Sequence, residues 1–384
     1  MNIAFDAKRA FTNGTGLGHY SRTLITSLAE YFPAHEYFLC TPKLTSRYNT
    51  AALHNVHTVT PHRFPSTLLT AAWRSKWVVR DLRRLDIDLY HGLSHEIPVG
   101  IQHTAVKSVV TIHDLIFERY PQQYNAIDVK IYRSKFRYAC ANANRIIAIS
   151  KQTRDDIVQF YNVPPKKIDV CYQSCNPAFG VRVPAGEIQR IKQQYKLPQK
   201  FFLYVGSVIE RKNLLTICKA LALLKGKVNT PLVVIGDGGA YLQQVKDFIA
   251  ANNLQAMVRL LSGEEDIKGI AGYTSAADFP AIYQQALCMI YPSTFEGFGI
   301  PVLEALYSRL PVITSNVSCL PEAGGPGALY INPPDAAQLA DAMERVNTDE
   351  ALRADMIEKG WQHAQSFSPY NCARAVMDVY EKTI

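Results

Sequence analysis

Residues 288–306 read CMIYPSTFEGFGIPVLEAL. The apolar run CMIY is followed by Pro292 and Ser293, then by a Gly-x-Gly turn at Gly297 and Gly299. A second apolar segment follows, with Pro301 in its first turn and Glu304 further on. Buried parallel strands read as continuous apolar runs, and proline is favoured at the start of a helix. The stretch therefore predicts a strand, a glycine turn and a helix, the unit from which doubly wound α/β sheets are built.

The same unit recurs on both sides. PVITSN (311–316) and ALYINP (328–333) follow, and FFLYVG (201–206), PLVVIG (231–236) and VRLL (258–261) precede. A Pro- and Gly-rich break, NPAFGVRVPAGE, lies near 176–197 and marks a linker and hinge. Before it comes another series: NIAF (2–5), EYFLC (36–40), DLYHG (88–92), SVVTIHD (108–114), RIIAIS (145–150) and KIDVCY (167–172). Helical patterns at 17–31, 67–85, 123–143 and 151–161 separate these runs. At 384 residues the chain exceeds one ordinary core. The expected fold is α/β, with a first Rossmann-like domain over 1–178, a linker over 179–198 and a second domain over 199–366. The last stretch, 367–384, reads as a closing helix with Ser368 and Pro369 at its start.

Hydrophobic residues make up 48% of the chain and charged residues 19%, the balance of a soluble globular protein. The N-terminus carries no basic patch followed by an apolar segment, and no run is long enough to span a bilayer. A cytoplasmic location is expected, and the eight cysteines, mostly in apolar surroundings, suit it. Cys171 and Cys175 have no second pair at zinc-finger spacing. The net charge of +8 is uneven: residues 1–190 hold 24 Lys and Arg against 14 Asp and Glu, the remainder 17 against 19. A basic N-terminal half suits an anionic partner such as a membrane surface or a phosphorylated acceptor, though solvated helix faces account for it equally well. Trp73 to Arg84 mixes cations with two tryptophans on a predicted helix that can rest on an anionic membrane or pack on the core.

In open α/β sheets ligands bind beyond the carboxyl ends of strands. Four segments stand there. Phe298, Gly299 and Ile300 open a helix whose amide hydrogens and dipole suit a diphosphate. Glu304 can accept hydrogen bonds from ribose, and Glu296, before the turn, can reach hydroxyls of a bound sugar. Gly206 is followed at short distance by Arg211 and Lys212, two cations able to neutralise a diphosphate or else ordinary surface charges. The N-terminal loop Asn13-Gly14-Thr15-Gly16-Leu17-Gly18 allows close backbone approach, but it fails the dinucleotide fingerprint because His19 stands where a glycine is required. His113, with Asp114 beside it, ends the run SVVTIHD and can hydrogen-bond a sugar hydroxyl; His91 and His95 follow another run and can face the same cleft.

Together these segments resemble the glycosyltransferase group 1 family, also called family 4, with the GT-B fold. The most specific element is the E-x7-E motif, met by Glu296 and Glu304, with VGSVIERKNLL, VVIGDGG, PVITSNVSCLPEAGG and GTGLGHYS in family order around it. The resemblance implies two domains facing a central cleft, with the nucleotide-sugar donor held mainly by the second and the acceptor facing the first. It implies retention of anomeric configuration and a closing helix that crosses back to the first domain. Glu304 would bind the ribose, Glu296 and His113 the donor sugar, and Arg211 and Lys212 the diphosphate; Gly16 and Gly18 would close over the phosphates. GDP-mannose is the donor the resemblance favours, with UDP-sugars next, and the acceptor it favours is a lipid-linked oligosaccharide or an envelope polysaccharide. No nucleic acid is implied. No D-x-D between two strands offers a metal clamp, so no metal is expected. The acidic run Glu264 to Asp266 reads as a solvated loop.

Two positions depart from the family pattern. Ser207 stands where many members have arginine, and Arg309 stands where many have glycine, at an expected cost of about 1 kcal/mol in a helix terminus. Other enzymes on this fold, such as a nucleotide-sugar epimerase or a phosphorylase, are the first alternative reading, and an inactive nucleotide-sugar-binding protein is the second.

Overall fold

The computed structural model describes residues 1–61 and 68–384. The chain divides into two compact units: Met1–Cys175 with Phe367–Ile384, and Asn176–Ser366.

The first unit holds a seven-stranded sheet, in which every pair is parallel. Its strands are β1 (Asn2–Asp6), β2 (Glu36–Cys40), β3 (Val56–Val59), β4 (Leu89–Gly92), β5 (Lys107–Ile112), β6 (Arg145–Ala148) and β7 (Ile168–Val170), in the order β3-β2-β1-β4-β5-β6-β7. Side chains alternate across the sheet. Ile3 and Phe5 pack with Leu24, Ile25 and Leu28 of the helix Gly16–Tyr31, whereas Ala4 faces Val78, Leu82 and Phe136 on the opposite layer. That is why Ile3, Ala4 and Phe5 form an unbroken apolar run: both faces of β1 are covered. β3 is an edge strand with exposed His57 and Thr58, so its short, half-polar sequence gave no apolar run to read.

The closing helix, Pro369–Thr383, belongs to this unit, and Ser368 caps it by accepting from the Asn371 amide (3.2 Å). Its Val376, Met377 and Tyr380 enter the core beside β1 and the helix Gly16–Tyr31. The Tyr380 hydroxyl meets His91 Nδ1 at 2.6 Å, His91 Nε2 meets Thr111 Oγ1 at 2.7 Å, and Thr111 meets the Tyr20 hydroxyl at 3.0 Å. Burial holds His91 down to about pKa 3, so it is a neutral core residue rather than one facing a cleft.

The segment Trp73 to Arg84 packs on the core with a basic outer face, one of the two readings its sequence left open. A π-helical turn, Trp73–Trp77, leads into the helix Val78–Arg84. Trp73 is buried and donates through Nε1 to Asp81 (2.7 Å). Arg74 grips buried Asp6 through Nε at 2.9 and 3.0 Å and reaches Glu96 at 3.0 Å. Lys76, Arg80, Arg83 and Arg84 keep an outward basic face. Residue 67, where the predicted helix begins, lies outside the described residues.

The second unit holds β8 (Phe202–Val205), β9 (Leu232–Ile235), β10 (Val258–Leu260), β11 (Cys288–Tyr291), β12 (Val312–Ser315) and β13 (Ala328–Ile331), ordered β10-β9-β8-β11-β12-β13 and all parallel. Phe202, Tyr204, Val234 and Ile290 pack against Leu214, Ile217 and Leu221 of the helix Leu214–Leu223 and against Leu339 and Met343 of the helix Ala336–Thr348.

Residues 179–198, expected as a linker, are largely structured within this unit. Phe179 is buried, and the helix Ala185–Gln194 buries Ile191. Tyr195 just beyond it donates to Asp278 (2.7 Å). The Pro and Gly content there starts a 3-10 turn and a helix; the units divide at Cys175 and Asn176. The acidic run is also ordered: Glu264 pairs with Arg259 (2.6 Å), and Glu265–Lys268 is a helical turn.

Candidate active site

In the second unit the strand order reverses between β8 and β11: β9 and β10 lie to one side, β12 and β13 to the other. A crevice beyond the carboxyl ends of such a pair is where doubly wound sheets bind ligands. The segments that leave β8 and β11 carry Gly206, Arg211 and Lys212 on one side and Glu296 on the other. The structure brings the last three together.

Arg211 and Lys212 lie on the 3-10 turn Glu210–Lys212, and their side chains are 11% and 14% exposed. That degree of burial excludes ordinary surface charge. Arg211 Nη1 is 3.0 Å from Glu296 Oε1 and also bonds the Phe295 carbonyl. Lys212 Nζ lies 3.5 Å from the same carboxylate oxygen and donates to the Tyr291 hydroxyl at 2.7 Å. That hydroxyl in turn donates to Glu296 Oε1 at 3.0 Å. Burial works against the charge on Glu296, but Lys212 and Arg211 more than offset it and hold its pKa below the ordinary carboxylate value. Glu296 is therefore a buried, ionised carboxylate flanked by two cations.

Backbone contacts fix the two segments to each other. The Thr294 amide donates to the Arg211 carbonyl at 2.8 Å. Asn213, at φ +61°, donates from Nδ2 to the carbonyls of Pro292 (3.2 Å) and Pro333 (2.7 Å). Gly206 has φ +150°, and a Cβ there would stand 3.1 Å from Lys212 Nζ and 3.2 Å from its Cδ. The missing side chain lets Lys212 fold back over the end of β8.

Gly299 is the left-handed residue (φ +100°) before the helix Ile300–Tyr307, and Pro301 occupies its first turn. Phe298 and Ile300 flank it; the Phe298 ring is buried, so what this turn offers a ligand is backbone. Glu304 lies in the same helix, partly buried, and accepts from the Tyr283 hydroxyl at 2.9 Å. Burial pushes its pKa up to about 7, against the opposing pull of Tyr283 and Lys212. Two carboxylates eight residues apart thus sit in opposite electrostatic settings, one held ionised and one near neutrality. At the far end of the helix, Arg309 adopts φ +55°. The Leu310 amide reaches the Ala305 carbonyl (2.9 Å) and the Arg309 amide the Leu306 carbonyl (3.1 Å), a Schellman cap. The guanidinium lies 4.1 Å over the Trp361 ring, which offsets part of the strain that glycine would avoid.

His113, Gly16 and Gly18 belong to the first unit. His113 follows β5; its Nε2 donates to the Leu93 carbonyl at 2.9 Å, and its ring meets those of Tyr20 and His95 edge-on. Burial lowers its pKa to about 4, so the ring is neutral. Asp114 caps the next turn by accepting from the Ile116 amide (3.1 Å). The two glycines differ. A Cβ on Gly18 would stand 2.0 Å from the Asn13 carbonyl oxygen, whereas Gly16 is exposed with open space around it. Gly18 is needed for packing of the loop, Gly16 is not. Asp86-Ile87-Asp88 precedes β4, where Asp88 accepts from the Asn2 amide (2.8 Å) at the amino edge of the sheet.

Tyr291, Tyr283 and Asn213 escaped the sequence reading. Tyr291 is the last residue of the apolar run CMIY, and Asn213 directly follows Lys212. Tyr283 has no motif around it.

Two parallel doubly wound units of this kind define the GT-B class. Solved structures agree: Anabaena Alr3699/HepE, in complex with UDP-glucose, matches with a TM-score of 0.74 over 100% of both chains, at 16% identity. Residues 14–179 match the model of Glycosyltransferase Family 4, and residues 187–363 that of Glycosyl transferases group 1. The chain belongs to the group 1 glycosyltransferases, and it is an enzyme of that kind. It is 26% identical to the O-antigen chain mannosyltransferase B of Escherichia coli over 99% of this chain and 100% of that one. It is 27% identical to the O-antigen chain mannosyltransferase RfbU of Salmonella typhimurium over 87% of this chain and 91% of that one.

Proposed function

We propose that the protein transfers mannose, with retention of configuration, from a nucleotide-diphosphate sugar to a glycan or lipid-linked acceptor in cell-envelope polysaccharide synthesis. The convergence of Arg211, Lys212 and the Tyr291 hydroxyl on Glu296 at the β8/β11 switch point carries this reading. When the bond from sugar to diphosphate breaks, negative charge grows on the diphosphate. Arg211, Lys212 and the amides before Ile300 are the groups assigned to it, acting as preorganised electrostatic catalysts with no metal ion required. Glu296 holds hydroxyls of the donor sugar, and Glu304 accepts from the ribose. His113, Gly16 and Gly18 are assigned to the donor on the family resemblance alone. GDP-mannose is the donor we favour, because the relatives cited above are named mannosyltransferases; UDP-sugars are the next choice. A thermal-shift screen against GDP-, UDP- and ADP-sugars, followed by turnover with the stabilising donor and an acceptor, tests the assignment. Stabilisation by GDP-mannose and release of GDP only when acceptor is present are expected. Interconversion of the donor sugar without acceptor would instead indicate an epimerase, and release of sugar phosphate from a glycan a phosphorylase.

A lipid-linked acceptor implies work at the inner face of the cytoplasmic membrane, and one feature favours it. No helix among the described residues is long and apolar enough to cross a bilayer. The helix Ala126–Asn142, however, leaves Ile127 68% and Ile131 45% exposed, with exposed Lys130 between them. Apolar and basic residues on one exposed stretch suit an anionic interface. Flotation with anionic vesicles at low salt, lost in Ile127→Glu with Ile131→Glu, is the expected result; no flotation of the native protein removes the membrane from this reading.

A further inference from the structure

The loop after β12 closes a circuit of hydrogen bonds around the peptide of Glu296. The Glu296 amide donates to Ser318 Oγ at 3.1 Å. The Ser318 hydroxyl donates to Cys319 Sγ at 3.9 Å, and the Cys319 thiol donates to the Glu296 carbonyl at 3.1 Å. Both backbone groups of one residue are thus held by adjacent side chains of a different strand–helix connection. The donors run head to tail, so each polarises the next. Cys319 is fully buried, and burial raises its pKa well above the ordinary thiol value, which keeps it a protonated donor. The next residue completes the contact: Leu320 Cδ2 would lie 3.0 Å from a Cβ on Gly299, so it packs against the turn that follows Glu296. Ser318 makes its bond at φ +52°, a region that non-glycine residues enter at a cost. A glycine would suit that backbone better, but it would have no hydroxyl to offer.

We infer that Ser318 and Cys319 are positioning residues for the transfer reaction. They fix the Glu296 peptide, and with it the direction in which the carboxylate leaves the backbone between Arg211 and Lys212. The inference rests on the reading of Glu296 as the group that engages the donor sugar. It goes beyond that reading by assigning to Ser318 and Cys319 a task in turnover, carried out without touching substrate. A side chain held in one direction spends more of its time in the reactive geometry, and small misplacements are costly to rate.

Ser318→Gly separates this role from a folding role, because it removes the hydroxyl while relieving the backbone. The full chain carrying Ser318→Gly, Cys319→Ala, Cys319→Ser or Glu296→Gln is compared with the native protein for kcat, KM for the donor, and Tm. Ser318→Gly is expected to melt no lower than the native protein yet lose about tenfold in kcat, with KM for the donor changed by less than about threefold. Cys319→Ala is expected to lose a similar factor, and Cys319→Ser, which keeps a donor, to recover most of it. Native kcat in both Ser318→Gly and Cys319→Ala, beside a collapsed Glu296→Gln, overturns the positioning role alone. So does a loss that follows Tm across the series, or a serine that rescues nothing. Native kcat in Glu296→Gln overturns the role of Glu296 and this inference with it.

Discussion

Replacing Glu304 with glutamine should strengthen the ligand-free fold at alkaline pH while removing donor binding. Burial lifts the Glu304 pKa from its ordinary 4.5 to about 7. The folded state therefore binds this proton more tightly than the unfolded chain does. The resulting contribution to stability is fully present below about pH 4.5 and is lost as pH rises through about 7. At roughly 1.4 kcal/mol per pH unit, the cost of holding the charged side chain above pH 7 reaches about 3 kcal/mol, and partial solvent access brings it to about 1–3. Glutamine is uncharged at every pH, has nearly the same shape, and offers the Tyr283 hydroxyl an acceptor oxygen in place of the carboxylate. Urea unfolding at pH 5 and pH 8 measures the effect as a difference of differences, which cancels the other titrating groups. Glu304→Gln is expected to match the native protein at pH 5 and to exceed it by about 1–3 kcal/mol at pH 8. The same variant should lose the thermal shift given by the nucleotide-sugar donor, since a neutral amide is the poorer acceptor for two ribose hydroxyls. A gap between variant and native protein that does not change with pH would refute the electrostatic reasoning. So would a variant that is weaker at pH 8.

Other perturbations read different parts of the site. Lys212→Ala and Glu296→Gln are each expected to lower kcat by 10²–10³ or more, measured as nucleotide release with saturating donor and acceptor; near-native rates in both would remove these residues from the reaction. Gly206→Ala, whose Cβ would press on Lys212 at 3.1–3.2 Å, should lower kcat by at least about tenfold, whereas Gly16→Ala, which meets open space, should leave the fold unchanged by circular dichroism. Gly18→Ala, with a Cβ 2.0 Å from the Asn13 carbonyl oxygen, should lower Tm, and an unchanged melting curve would contradict the loop geometry. Arg309→Ala keeps the strained φ but loses the Trp361 contact, so about 0.5–1 kcal/mol of stability should go. Arg309→Gly trades that contact for a relaxed backbone and should come out close to native.

Strands with both faces covered were legible because they left apolar runs: CMIY and PLVVIG each contain a strand of the observed sheets, and SVVTIHD covers all but the first residue of another. VHTV was not, because an edge strand needs apolar side chains on fewer sides. The helix signals at Ser368 and Pro369 corresponded to a cap that the structure contains. The stretch 179–198 misled because proline and glycine open helices and turns as readily as they interrupt them. At the site, Arg211, Lys212 and Glu296 could be singled out as charges beyond strand ends. That their side chains are buried together could not, since burial depends on partners distant in sequence. Tyr291, Ser318 and Cys319 act through a hydroxyl and a thiol, chemistry that also fills ordinary cores, and only coordinates distinguish the two. His91 shows the converse: a histidine beyond an apolar run looked available, but Tyr380 and Thr111 had already taken both of its nitrogens.

Tyr380 reaches His91 across 289 positions of chain. On a ribosome the first unit must wait, with all seven of its strands already made, until Phe367–Ile384 has emerged. The second unit, lying wholly upstream of that helix, can be finished sooner. Removing the helix Pro369–Thr383 would therefore strip a layer from the half of the protein that was synthesised first, and uncover the side of β1 and β4 that carries Ile3, Phe5 and His91.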